Sequence, residues 1–72
     1  GYGESAKAIE LYKIALTKPG VDTGRVLTRL GIAQLDSGDA AGALDSFGKV
    51  TGPRAPLAQF WAVYAKQKAG AK

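Results

Sequence analysis

The sequence predicts an all-α protein built of antiparallel helix-turn-helix repeats. Three observations lead to that class. Apolar residues recur at helical spacing in four separate segments, glycine and proline gather in the joints between them, and the first two segments return as the last two. No segment shows the strict alternation of a half-buried strand.

The first helix is expected over about residues 4–17, where Ala8, Ile9, Tyr12, Ala15 and Leu16 fall on one face. Lys18-Pro19-Gly20 stops it. The second is expected over about 24–36, capped by Asp22 or Thr23, whose side-chain oxygen accepts from an orphan amide. Leu27, Leu30, Gly31 and Gln34 form one stripe on it, and Val26, Leu30 and Ala33 a second. A surface this wide calls for a neighbour on each side.

Ser37-Gly38-Asp39 is the next break: Gly38 provides a left-handed residue and Asp39 a cap. The third helix, about 40–50, presents Ala43, Leu44, Phe47 and Val50. Gly52-Pro53 ends it, and a fourth begins near Pro56, a residue tolerated in a first turn, and runs to about 68. It carries Leu57, Phe60, Trp61, Val63, Tyr64 and Ala65, an aromatic cluster expected to belong mostly to the core.

The segments are repeats of one another. Thirty-five positions separate Gly3-Glu4 from Gly38-Asp39, Ala8-Ile9 from Ala43-Leu44, and Tyr12 from Phe47. Thirty-four separate Leu27 from Trp61, Leu30 from Tyr64, Gly31 from Ala65 and Pro19 from Pro53. One extra residue in the first joint accounts for the difference.

This period and order resemble the tetratricopeptide repeat, a helix-turn-helix unit of about 34 residues. Leu27, Leu30 and Gly31 match its first-helix motif, Gly38-Asp39 its turn, Ala43 and Phe47 its second helix, and Pro53 or Pro56 its closing proline. Trp61 fills the bulky position of the following unit. Gln34 stands where the family has tyrosine, and Val50 where it has alanine. The resemblance implies a short right-handed α-solenoid of four helices, one domain over residues 1–72, in the order second helix, first, second, first.

Gly31 and Ala43 are then expected at the point where two helices cross closely, with Leu27, Leu30, Phe47, Trp61 and Tyr64 packed around the crossings. A glycine inside a helix costs on the order of 1 kcal/mol relative to alanine. Close approach of the backbones is the reason to tolerate it.

Composition narrows the function. The 72 residues include no histidine and no cysteine, so the commonest general bases, nucleophiles and zinc ligands are missing. Asp36 and Asp39 flank a glycine turn and read as caps rather than as an acid–base or metal pair. No phosphate-cradling glycine motif occurs. The chain is expected to be no enzyme and to hold no cofactor and no metal. No apolar run approaches the roughly 18 residues of a membrane span, so membrane insertion is not expected. Beginning at Gly1 without any methionine, the chain reads as a processed or trimmed product. The absence of cysteine suits cytoplasm and bacterial periplasm alike. A composition rich in glycine and alanine, without methionine or asparagine, fits a GC-rich bacterial source.

The resemblance implies a protein–protein interaction scaffold that takes a peptide or partner helix on a concave face lined by first helices. Carried over by position, that face holds Arg25, Thr28, Arg29, Ile32, Leu35 and Asp36, and from the next unit Gln59, Ala62 and Lys66. Arg25, Arg29 and Lys66 together form a basic spot able to grip a carboxylate. The alternative is a structural segment that self-associates as a homo-oligomer through its aromatic terminal helix. Nucleic-acid binding is the weakest of the three. The net charge is +4, and residues 49–72 carry Lys49, Arg54, Lys66, Lys68 and Lys72 with no acid, but so few charges fit a solvated face.

Overall fold

The computed structural model describes the backbone of residues 2–70 and the side chains of residues 6–70. Four α-helices follow one another: α1 (Tyr2–Ala15), α2 (Thr23–Asp36), α3 (Ala40–Gly48) and α4 (Ala55–Gly70), with a 3₁₀ turn over Gly52–Arg54 leading into α4. No strand occurs among the described residues.

The helix boundaries follow local chemistry. α1 gives out at Ala15, two residues earlier than the sequence predicts. Leu16 still donates to the Tyr12 carbonyl at 3.1 Å, but Thr17 and Lys18 turn back to Ile14 and Ala15 at 3.0 and 3.1 Å. Lys18 precedes proline and is pushed away from helical backbone. Asp22 is the N-cap of α2, and its Oδ1 accepts from the Arg25 amide at 3.2 Å. Asp39 caps α3 in the same way, accepting from the Gly42 amide at 2.9 Å. Between them Gly38 takes φ +92°, which a side chain would resist.

α3 stops at Gly48, short of the expected residue 50, because Lys49 and Val50 close it with 3.2 Å bonds to Ser46 and Phe47. Val50 nevertheless stays buried. α4 starts one residue before Pro56 and continues to Gly70, so the predicted span of 56–68 is lengthened at both ends.

Each helix packs on the next, and α2 also touches α4. The α2/α3 pair is antiparallel, as its contacts show. Gly24 lies against Val50, Gly31 against Phe47, and Gln34 against Ser46 and Gly42, so one helix descends as the other climbs. Because α3 also lies on α4, the three helices form a triangle in section. The molecule measures 39 × 29 × 13 Å. Its thin dimension is what two helix layers need, given axes about 8–10 Å apart and a Cα cylinder about 4.6 Å across.

The core is built on small residues facing one large one. Phe47 is the largest fully buried side chain, and Ala43, Ala58 and Ala65 are also sealed, with Leu27, Leu30 and Val50 beside them. Gly31 gives Phe47 its room: a Cβ there would stand 2.6 Å from the ring's Cζ and 2.8 Å from its Cδ1. The ring stacks in turn on Trp61, centroids 6.2 Å apart and planes inclined by 24°.

One buried polar pair crosses the hairpin. Ser46 Oγ donates to Gln34 Oε1 at 2.5 Å, and both residues are buried. Thr28 satisfies its hydroxyl within α2 by donating to the Gly24 carbonyl at 2.7 Å. Among the described residues no buried side-chain polar atom lacks a partner.

Candidate groove between helices α2 and α4

A trough between α2 and α4 has the shape of a binding site. Two cavities, of about 470 and 330 Å³, make it up. The first is walled on α2 by Arg25, Thr28, Arg29 and Ile32, and on the other side by Arg54, Leu57 and Trp61. The second continues past Ile32 to Leu35 and Asp36, facing Trp61, Tyr64 and Lys68. Ile32 and Trp61 belong to both, so the trough is continuous. Its residue numbers rise together on the two walls, so α2 and α4 run in the same direction.

All four α2 residues predicted for the binding face, Arg25, Thr28, Arg29 and Ile32, therefore line the trough. On α4 the trough is lined by other residues than the two named from the sequence. Gln59 and Lys66 are exposed but line neither cavity; Leu57, Trp61, Tyr64 and Lys68 take that wall. The reason is helical phase. Leu57, Trp61, Tyr64 and Lys68 recur at spacings of four, three and four, which is one flank. Gln59 and Lys66 each lie two residues away from a member of that flank, about 200° round the helix. Transfer by repeat position finds the equivalent flank of α4. A trough between two helices that run in the same direction uses opposite flanks.

The cations that line the larger cavity are Arg25, Arg29 and Arg54, and Lys66 lies outside it. Arg54 sits on the 3₁₀ turn and ties it to the start of α2, its Nε 3.3 Å from Asp22 Oδ2. The Arg25 amide and then the Arg54 guanidinium hold the Asp22 carboxyl below its ordinary value of 3.8. The stabilisation from its ionised form is complete above that ordinary value and is lost as pH falls through the lower native one. Urea midpoints measured below pH 4 should fall more steeply for the wild type than for Asp22→Asn, which keeps a capping oxygen but no charge. Parallel acid limbs would show that the ionised Asp22 carboxylate contributes nothing.

The aromatic trio of α4 divides into three environments. Trp61 is half-buried on Phe47, whereas Tyr64 is 42% and Phe60 71% exposed. Tyr64 was predicted to pack in the core and instead forms the trough wall, its ring edge-on to Trp61 at 5.9 Å and under the Lys68 ammonium at 5.5 Å. α3 covers one flank of α4, and α2 touches it only beside the trough. The remaining predicted packing residues, Leu27, Leu30, Gly31, Ala43 and Phe47, are all buried.

Sequence reasoning missed Ala58 and the Ser46–Gln34 pair. Ala58 was legible through the 34-residue period, since it stands where Gly24 does, and both are buried small residues. Gln34 was legible on the packing stripe of α2, but nothing pointed to Ser46 as its partner, because a serine on an amphipathic helix looks like a surface residue. No helix of the described residues is long and apolar enough to cross a membrane, and none of their acidic side chains cluster as a metal site would require. Comparison with protein-family models, with curated proteins and with solved structures found no match to this chain.

Proposed function

We propose that this protein is a non-catalytic protein–protein interaction scaffold, a short right-handed tetratricopeptide-like solenoid that docks a peptide or partner helix in the α2/α4 trough. The observation that carries the reading is the continuity of the two cavities through Ile32 and Trp61, which gives an apolar floor between polar rims. Pockets that orient a ligand combine those two features. The trough also stands over a packed core, with α2 capped by Asp22, so little ordering is needed at the moment of docking. Its α4 wall, Leu57 to Lys68, is about 16 Å long, room for roughly three helical turns or five extended residues of a partner.

A photo-crosslinking phenylalanine analogue in place of Ile32 should capture a partner protein in an extract of the source cells. The same analogue in place of Asp45, exposed on α3, should capture none. Equal yields from the two positions would reject the trough as the docking site.

A second reading is favoured by one observation. Phe60 and Val63, 71% and 59% exposed, form an uncovered apolar patch on α4 that self-association would bury. Sedimentation velocity on the wild type should then show a concentration-dependent dimer that Phe60→Glu abolishes. A monomer throughout the concentration series would set this reading aside.

A further inference from the structure

We propose that the occupant of the α2/α4 trough is an acidic segment of a partner protein carrying at least one aliphatic or aromatic side chain. This inference rests on the docking reading above and adds the chemistry of the partner.

Charge is the first argument. Arg25, Arg29 and Arg54 all line the larger cavity, and no acidic residue lines it with them. The smaller cavity has Asp36 on one wall and Lys68 on the other. The positive potential is thus concentrated at one end. The N-terminal ends of α2 and α4 lie at that same end and add to it. Guanidinium groups present paired N–H donors that match a carboxylate in two-point geometry, which an ammonium cannot do. Arg54 already reaches Asp22, but that pair is exposed on both sides, so a partner carboxylate can compete for it.

The second argument is the floor. Ile32, Leu57 and Trp61 lie directly beside the arginines, with Leu57 50% and Ile32 37% exposed. A cavity of about 470 Å³ falls in the lower half of the range for ligand pockets, enough for one large side chain. A ligand that brought carboxylates alone would leave this apolar surface wet. One that brought only apolar groups would bring no counter-charge to Arg25 and Arg29, and Arg54 would keep only Asp22. A second copy seated trough to trough fits poorly, because it would set the Arg25, Arg29 and Arg54 of one copy against those of the other.

Trp61 is the only tryptophan in the chain and lies in both cavities, so its emission reports occupancy without a label. The test is a fluorescence titration with three tryptophan-free peptides of about a dozen residues: alternating leucine and glutamate, and the same peptide with glutamine or lysine for glutamate. The acidic peptide should bind about tenfold tighter than the glutamine form. That advantage should shrink when ionic strength rises from about 0.01 to 0.15 M and the Debye length falls from roughly 30 to 8 Å. Arg25→Gln combined with Arg29→Gln, both exposed, should erase the preference, while Lys49→Gln, just past the end of α3 and lining neither cavity, should leave it unchanged.

Equal affinity for the three peptides, or preference for the lysine form, would overturn the acidic partner while leaving docking in the trough intact. No change in Trp61 emission with any of them would overturn the docking reading itself. A single-stranded oligonucleotide that outcompetes the acidic peptide would overturn a protein partner in favour of nucleic acid.

Discussion

Replacing Gly31 with leucine should destabilise the domain by about 3 kcal/mol or more, the upper end for overpacked cores. In a chain of this size that is a fall of roughly 10–20 °C in melting temperature. The cause is local and specific. The site of a Cβ on residue 31 lies within 2.8 Å of three atoms of the Phe47 ring. The ring cannot yield cheaply, since it is 2% exposed and stacked on Trp61. Leucine recovers about 1 kcal/mol of helix propensity over glycine, which does not offset a branched side chain driven into an aromatic face. Thermal or urea unfolding followed by circular dichroism measures the loss. A change of less than about 1 kcal/mol would mean that the two helices can move apart freely, contrary to the close crossing described.

Phe47→Ala is the second large effect, at about 3–5 kcal/mol. The ring touches the crossing residue of α2 on one side and Trp61 of α4 on the other, so removing it opens a cavity where three helices meet. The two substitutions share one volume. Combining Gly31→Leu with Phe47→Ala should therefore cost clearly less than the sum of the single changes, because the leucine occupies space the ring has left. Strict additivity in the double-mutant cycle would show that residues 31 and 47 do not press on each other.

Much of this packing was legible in the sequence, for a physical reason. The helical period marks which residues must leave water, and glycine inside such a period marks where backbones come close. Gly31, Ala43 and Phe47 were found this way. Turn chemistry was equally readable at Gly38 and Asp39, where backbone conformation and capping depend on single residue types. The α4 wall was not. Repeat periodicity says which positions are equivalent, and Gln59 and Lys66 are the positions equivalent to Arg25 and Ile32. It does not say which flank of each helix faces the next. That depends on how helices running in the same direction sit beside one another, a three-dimensional relation that no single-chain period encodes. Tyr64 was misjudged for a related reason. Its counterpart Leu30 is buried, while α4 is covered mainly by α3 and only touched by α2.

Trp61 joins two surfaces. One face of the indole lies on Phe47 and completes the hairpin interior; another is the bed of the trough. A residue with both duties is hard to vary, since any substitution that retunes what the bed accepts also loosens the fold beneath it. Diversification of partner choice is therefore confined to the rims, where Arg25, Arg29 and Lys68 can drift at little cost in stability.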